Sequence, residues 1–225
     1  MNPIDYHILD DSLYYYRSQG FEYKEVPWII DEKISNITKP EDRENFHISQ
    51  NKVLVASGEQ SFLQLIHDQK LGYGKYVTLT PCFRDETVDE THKQYFMKTE
   101  LMIYDHVDNL IRIFADTLYQ CIQFFKSYTN VKLIHIPTNK ESEDLGINQI
   151  KEFIKDLHNN LPDQGIDEFY TFDILDKHTS RELGSYGIRT TMISDMRMIQ
   201  WFYGTGCAEP RLSQTHQIEE KTRVP

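Results

Sequence analysis

The segment CFRDETVDETHKQYFMKTEL, residues 82–101, carries the pattern on which the interpretation of this chain depends. Arg84 and Glu86 end an apolar run, a polar loop follows, and Phe96 and Glu100 lie in the next apolar run. We expect two antiparallel strands joined by the loop, so that a cation, a carboxylate and an aromatic ring share one sheet face. These groups could hold a nucleoside triphosphate and act at its α-phosphate. The alternative is an edge hairpin with a surface arginine and a solvated loop.

The N-terminal segment predicts a helix followed by a strand. Residues 6–19 have apolar side chains near helical spacing, and Gly20 suits the position after a helix end. The segment FEYKEV, residues 21–26, alternates as a strand does, and Pro27 ends it. A helix and a strand packed inside a monomer would give the same pattern.

A glycine-rich segment, YGTGCAEPRL, covers residues 203–212. Gly204 and Gly206 permit close approach of the backbone to a phosphate, or of a strand to a helix. Arg211 follows Gly206 and would lie on the next helix. If Pro210 falls in the first helical turn, Arg211 stays in place, because the missing N–H has no partner there. The alternative is an ordinary strand–helix turn.

The segment SRELGSYGIRT, residues 180–190, places Glu182 and Ser185 three positions apart in a predicted strand and turn. A carboxylate and a hydroxyl suffice for Mg²⁺, which prefers oxygen ligands and keeps several waters. The alternative is an exposed glutamate on a polar edge.

These segments resemble motifs 1, 2 and 3 of the class II aminoacyl-tRNA synthetases, in that family's order, with Pro27, Arg84 and Arg211 as anchors. The spacing from Gly204 to Arg211 and the Glu-x-x-Ser pattern are similar to those of the seryl-type enzymes. The resemblance covers most of the chain. It implies an α+β fold, with an antiparallel sheet flanked by helices, and a homodimer formed largely through motif 1.

The resemblance also implies roles for individual residues. Two arginines would be catalytic, four residues would bind ATP, three would face an amino-acid substrate and two would hold Mg²⁺. The catalytic residues would be Arg84 and Arg211, and the ATP-binding residues would be Arg84, Glu86, Phe96 and Arg211. The substrate residues would be Ser57, Glu59 and Glu100, and the metal ligands would be Glu182 and Ser185. His92, in the motif 2 loop, could touch an acceptor, with a solvated loop histidine as the alternative.

Composition narrows the class of protein. With 225 residues, 39 % hydrophobic and 26 % charged, the chain fits one globular domain over residues 1–225. We find no membrane-spanning run and no signal peptide. A net charge of −11 argues against a broad basic surface for nucleic acid, although a local pocket for ATP is compatible with it. Cys82, Cys121 and Cys207 form no CxxC pair, so we expect a reducing cytoplasm and no zinc.

The remaining pattern favours α+β over alternating βαβ units, with a largely antiparallel sheet and helices on one side. The predicted helices cover residues 59–69, 106–126 and 147–157, and the predicted strands cover residues 76–80, 96–104, 131–136, 169–175 and 182–191. Residues 139–144 are expected to form a loop and residues 159–165 a turn-rich link.

Two functions remain open at this point. The first is ATP-dependent activation of an amino acid, with transfer to a carrier protein, a protein side chain, a small amine or tRNA. The second is a non-catalytic paralogue that binds an amino acid or nucleotide and regulates a partner. In both cases we expect a free-standing catalytic core without an anticodon-binding domain.

Overall fold

The computed structural model describes residues 3–88, 93–160, 165–193 and 197–216. Its main feature is an eight-stranded sheet with the order β1-β5-β6-β11-β10-β9-β7-β8. Neighbouring strands are antiparallel except β1 and β5, which are parallel. The strands of this sheet are β1 Glu22–Tyr23, β5 Gly74–Phe83, β6 Tyr95–Tyr104, β7 Val131–His135, β8 Lys140–Ser142, β9 Thr171–Asp176, β10 Glu182–Ile193 and β11 Arg197–Glu209.

A three-stranded sheet with the order β2-β4-β3 lies beside the main one. Its strands are β2 Ile29–Asp31, β3 His47–Ser49 and β4 Lys52–Leu54. The helices are α1 Tyr6–Ser18, α2 Glu32–Ser35, α3 Gly58–His67, α4 Val107–Lys126, α5 Ile147–Asn160 and α6 Ile166–Phe169. Residues 211–216 are helical as well.

The main sheet buries a different set of side chains on each face, because successive residues of a strand point to opposite sides. On one face, Val77, Leu101 and Phe202 pack with α1, α4 and α5 in the larger core. On the other face, Met102 and Trp201 pack with α3 and the small sheet. The α+β expectation is therefore confirmed, but the expectation of helices on one side is wrong for α3.

Three local predictions differ from the structure. Only Glu22–Tyr23 of the expected strand at residues 21–26 pairs with β5. The polar segment expected as a loop contains β8, which pairs with β7 at the edge of the sheet. An edge strand has solvent on one side, so it needs no apolar run. The strand expected from residue 169 begins at Thr171, because residues up to Phe169 form α6.

Candidate active site

A cavity of about 350 Å³ opens on the sheet face that carries α3. Of the nine residues singled out from the sequence, seven line it: Ser57, Glu59, Arg84, Glu86, Glu100, Glu182 and Ser185. The other two, Phe96 and Arg211, line an adjoining cleft together with Glu86. The structure thus gathers residues from five separate segments around the cavity and a small cleft that shares Glu86 with it. His92 lies outside the described residues.

Polar side chains cross the sheet beneath this cavity in a row. Thr78 of β5 faces Glu100 of β6, and Glu100 faces Thr205 of β11. Thr205 Oγ1 accepts a hydrogen bond from the Ser185 backbone N–H at 3.4 Å, and Ser185 faces Asp173 of β9. Five neighbouring strands therefore present oxygen-bearing side chains at one level of the sheet.

A β-bulge in β11 interrupts the ladder at this level. Thr205 faces Glu100 and Cys207 faces Thr99, so Gly206 is the extra residue. A Cβ on Gly206 would lie 2.9 Å from both Thr99 Cγ2 and Tyr16 Cε2, which only glycine avoids. The Tyr186 hydroxyl donates to the Thr205 carbonyl at 2.7 Å, and the Tyr16 hydroxyl donates to the Gly206 carbonyl at 3.1 Å. These two tyrosines thus satisfy the carbonyls of the bulge and fix its shape.

A second bulge, in β10, brings the two predicted magnesium ligands to the same side. Glu182 faces Leu175 and Gly184 faces Ile174, so one residue is extra between them. Without the bulge, Glu182 and Ser185 would point to opposite faces, because they are an odd number of residues apart. With it, both line the cavity. Both lie within β10 rather than in a strand and a turn.

Glu182 already has a partner, since its Oε1 lies 3.2 Å from Arg211 Nη1. Arg211 is the first helical residue after Pro210, whose carbonyl accepts the Gln214 N–H at 3.1 Å. Pro210 therefore stands directly before the helix, where its missing N–H has no helical partner, and Arg211 begins the helix. Burial, and next the negative charge of Glu182, raise the pKa of the nearby Asp173 to about 6.

Glu182 and Ser185 offer only oxygen atoms as ligands for a metal ion. This set fits Mg²⁺, which takes a few protein oxygens and completes its shell with water and substrate phosphates. Within the described ranges there is no group of three or more His, Cys, Asp or Glu that could hold a metal ion by itself. Any metal here would therefore need further ligands from water or from a bound substrate.

Arg84 lies just past the end of β5 and is held from two sides. Its Nε donates to the Ala56 carbonyl at 3.1 Å, and its guanidinium carbon lies 5.0 Å from the centre of the Phe96 ring. Glu86 Oε1 is 3.8 Å from Arg84 Nη1. The cation, carboxylate and ring of the opening segment are therefore together, with part of the guanidinium edge facing the cavity.

The N-terminal turn of α3 supplies two of the predicted substrate residues. Ser57 is the N-cap residue and lines the cavity without making a side-chain cap hydrogen bond. Gln60 holds the residue before the N-cap, because its Oε1 accepts the Ala56 N–H at 2.8 Å. Gly58 packs closely on the sheet, since a Cβ there would lie 2.8 Å from Glu100 Cβ. This close contact sets Glu59 against the sheet.

Glu59 and Glu100 converge in the cavity, and each has a cationic partner. Arg189 Nη1 lies 2.9 and 2.8 Å from the two oxygens of Glu59, and Trp201 Nε1 donates to Glu59 Oε1 at 2.7 Å. Lys98 Nζ lies 2.9 Å from each oxygen of Glu100. Burial raises the pKa of Glu100 and outweighs the opposing effect of Lys98.

The sequence analysis missed several residues of the cavity wall. Arg189, Lys98, Tyr203 and Thr205 line the cavity but were not singled out. Lys98 could have been found, because it lies two positions from both Phe96 and Glu100 and so shares their face. Arg189 shares a face with Ser185 by the same rule. Its pairing with Glu59, 130 positions away, left no local signal.

Comparisons with known proteins agree on the fold. The cytoplasmic serine-tRNA ligase of Naegleria fowleri, solved with AMP, superposes with a TM-score of 0.64 at 14 % identity, covering 97 % of this chain and 48 % of that one. PylSc of Desulfitobacterium hafniense, a pyrrolysyl-tRNA synthetase, gives 0.62 at 13 %, covering 96 % and 68 %. A second pyrrolysyl-tRNA synthetase structure from that organism gives 0.59 at 13 %, covering 96 % and 69 %.

No family model and no curated protein matches the sequence. The chain spans about half the length of the seryl enzyme and about two thirds of the pyrrolysyl enzymes. Its large antiparallel sheet flanked by helices is the fold of a class II aminoacyl-tRNA synthetase catalytic domain. Among the helices of the described ranges, none has the length and apolar character needed to cross a membrane.

Proposed function

We propose that this protein uses ATP to activate the carboxylate of an amino acid, or of another amine-bearing acid, as an acyl-adenylate. The observation that carries the proposal is the set of side chains around the cavity and the adjoining cleft, which share Glu86. Arg84 and the oxygen donors Glu182 and Ser185 line the cavity, and Phe96 and Arg211 line the cleft. A domain that only bound a peptide or a small apolar ligand would not need this set.

In the proposed reaction, a carboxylate oxygen of the acid attacks the α-phosphorus of ATP. A new bond forms between that oxygen and phosphorus, the bond to the bridging oxygen breaks, and pyrophosphate leaves. Such a step depends on positioning and on stabilising the charge that develops on the phosphoryl oxygens. Arg84 suits both tasks, because its planar guanidinium can bind the α-phosphate and the attacking carboxylate together.

The other residues would hold the nucleotide. Phe96 would stack on adenine in the cleft, Glu86 would contact the adenine side or support the loop, and Arg211 would bind the γ-phosphate. Glu182 and Ser185 would hold Mg²⁺, which when bound neutralises phosphate charge. Arg211 and Glu182 would have to exchange their mutual ion pair for these ligands.

The acceptor of the activated acyl group is open to four chemical classes: a carrier protein, a protein side chain, a small amine or tRNA. We further propose a cytoplasmic homodimer built from a single catalytic domain. The dimer is supported by exposed apolar side chains on the N-terminal elements, namely Tyr14, Tyr23, Trp28 and Ile29.

One observation favours a second candidate, a non-catalytic paralogue that binds an amino acid or nucleotide and regulates a partner. Ion pairs of 2.8 to 3.2 Å already engage three carboxylates of the site: Glu59 with Arg189, Glu100 with Lys98, and Glu182 with Arg211. A binding protein could keep these pairs intact, whereas adenylation requires that the last of them opens.

The test is amino-acid-dependent exchange of labelled pyrophosphate into ATP, measured with each of the twenty amino acids. We expect exchange with one of them or a small group. Arg84→Ala should slow it roughly 10²–10³-fold, the usual effect of removing one such electrostatic contact. Arg112→Ala is the matched control, because Arg112 lies on the exposed face of α4 and bonds only Asn109 among the described residues.

Exchange that disappears in Arg84→Ala but persists in Arg112→Ala would support adenylation. Exchange unaffected by Arg84→Ala would contradict the assigned role of Arg84. If no amino acid supports exchange while ATP still binds, the regulatory paralogue becomes the better description.

A further inference from the structure

Arg189 is a cavity residue with unused hydrogen-bonding capacity. Its hydrogen bonds to the described residues come from Nη1, which contacts both oxygens of Glu59. In the part of the chain that the structure describes, Nε and Nη2 make no hydrogen bond, although they carry three N–H donors. The side chain is 36 % exposed and lines the cavity. Half of a planar fork is therefore directed at whatever occupies this space.

Contacts with neighbouring side chains fix the position of the Arg189 side chain. Its guanidinium carbon lies 4.2 Å from the centre of the Tyr203 ring. That ring occupies the space over Gly187, where a Cβ would lie 2.6 Å from the Tyr203 hydroxyl oxygen. Trp201, the cross-strand partner of Arg189, holds the same carboxylate oxygen of Glu59. Stacking and pairing together fix the plane of the guanidinium.

Arg189 and Arg84 contact different parts of the cavity wall. Arg189 contacts Glu59 and Tyr203, whereas Arg84 contacts Ala56, Glu86 and Phe96. The reacting carboxylate must meet the α-phosphate near Arg84, Glu182 and Ser185. A group held by Arg189 is therefore a different part of the substrate from the carboxylate held by Arg84.

The chemistry of that group follows from the free edge of the guanidinium. Two parallel N–H groups in a fixed plane match a planar, two-oxygen acceptor, and a carboxylate fits better than a hydroxyl or an alkyl group. An apolar side chain would displace water from these three N–H groups and leave them without hydrogen-bond partners. Glu59 and Glu100 remain close enough to receive the amino group of the same molecule.

We propose that Arg189 selects a substrate with a second carboxylate, so that the acid bound here is a dicarboxylic amino acid of the aspartate or glutamate kind. This inference rests on the proposed function for the identity of the reacting end. Arg189 is a specificity residue in this description, and Arg84 remains the residue at the reacting carboxylate.

The first measurement is calorimetric binding of aspartate, glutamate, asparagine, glutamine, serine and alanine to the full chain without ATP. We expect an acidic amino acid to bind roughly 10²-fold more tightly than its own amide, because the amide loses the charge-assisted, two-point pairing with the guanidinium. Arg189→Gln should remove that preference or reverse it toward the amide. Arg189→Lys should retain part of it, because it keeps the charge and loses the fork.

Two controls separate specificity from loss of structure. Arg197→Gln alters another arginine of the β10–β11 hairpin, whose Nη2 donates to the Ile66 carbonyl, and it should leave the acid preference unchanged. ATP binding to Arg189→Gln should equal that of the wild type, because a merely structural defect would weaken both ligands.

Acidic amino acids that bind without supporting pyrophosphate exchange would leave this inference standing and overturn adenylation. If a neutral amino acid supports exchange, and still does so in Arg189→Gln, adenylation stands and this inference is overturned. Failure of both aspartate and glutamate to bind would overturn the inference, whatever the exchange assay gives.

Discussion

Arg211 Nη1 and Glu182 Oε1 are 3.2 Å apart, so the arginine proposed for the γ-phosphate and the carboxylate proposed for Mg²⁺ neutralise each other. Their side chains are 24 % and 46 % exposed. Ion pairs of this exposure contribute only about 0–1 kcal/mol to folding. The pair can therefore open when a nucleotide arrives, because the phosphates and the metal offer each partner a stronger interaction.

The first prediction concerns this pair. Arg211→Gln and Glu182→Gln should each change the free energy of unfolding by less than about 1 kcal/mol. Both should slow pyrophosphate exchange roughly 10²-fold or more. Arg211→Gln should raise the KM for ATP, and Glu182→Gln should raise the Mg²⁺ concentration needed for half-maximal rate.

Glu141→Gln is the matched control for the first prediction. Glu141 pairs with Lys132 at 2.9 Å on the opposite edge of the sheet, far in sequence from the cavity lining. Its exchange rate should equal that of the wild type. Loss of stability in Arg211→Gln or Glu182→Gln without loss of exchange would make the pair purely structural.

The second prediction concerns the bulge of β11. Tyr186→Phe removes the donor to the Thr205 carbonyl, and Tyr16→Phe removes the donor to the Gly206 carbonyl. Each leaves a buried carbonyl without its partner, which should cost about 1–3 kcal/mol in urea unfolding. Because the bulge sets Thr205 in the cavity wall, both changes should also weaken binding of the substrates.

Tyr15→Phe separates the two effects of the second prediction. Tyr15 donates to the Gln120 carbonyl at 2.8 Å, on the helix side of the sheet and away from the cavity. It should lose comparable stability and keep wild-type binding. Equal binding by all three variants would mean that the bulge does not position the cavity wall.

The third prediction concerns the contact between α3 and the sheet. In Gly58→Ala the new Cβ would meet Glu100 Cβ at 2.8 Å and Thr80 Oγ1 at 3.0 Å. These are backbone-anchored neighbours, so the helix must move, at a cost of about 1–3 kcal/mol. Because Glu59 follows directly, its pairing with Arg189 should loosen and amino-acid binding should weaken.

Gly72→Ala provides the comparison for the third prediction, since a Cβ there meets nothing within 4 Å. It should be neutral or slightly stabilising, because alanine restricts the unfolded chain. A thermal unfolding midpoint for Gly58→Ala equal to that of Gly72→Ala would contradict the close packing of α3.

The elements that the sequence predicted well are those with a strong local period. The helix at residues 107–126 and the hairpin of β5 and β6 follow directly from apolar spacing. Alternation along a strand was also enough to place Phe96 and Glu100 on one face. Local pattern could not predict the bulges, where an extra residue changes which face of the sheet the following side chains point to. Glu182 and Ser185 share a side only because β10 has an extra residue between them.

The sequence also could not predict which side chains from distant segments contact each other. The pairing of Glu59 with Arg189 and Trp201 joins α3 to two strands from the other end of the chain. No spacing rule connects these positions. The expectation that Glu59 and Glu100 hold an amino group stays a prediction. The amino group would have to share these carboxylates with Arg189 and Lys98.

The last prediction uses two buried carboxylates whose pKa values shift in opposite directions. Burial alone would raise the pKa of Asp176, but hydrogen bonds from Thr129 and Thr179 lower it. The Thr129 hydroxyl donates at 2.6 Å, and the Thr179 hydroxyl and N–H donate at 2.6 and 2.7 Å. Burial raises the pKa of Glu209 despite hydrogen bonds from Ser213.

These shifts give opposite pH dependences of stability. Asp176 stabilises the fold above its unfolded pKa, near 4, and loses this contribution as the pH falls through its lowered folded value. Glu209 behaves in the reverse way: its contribution is complete below its unfolded pKa and is lost as the pH rises through the raised folded value. Urea unfolding from pH 3 to pH 7 should therefore show the deficit of Asp176→Asn, about 1–3 kcal/mol at neutral pH, shrinking toward pH 3. The deficit of Glu209→Gln should instead shrink as the pH rises from 4 to 7. Parallel pH profiles for the two variants would contradict both assignments, because a change in general packing alone would leave each deficit independent of pH.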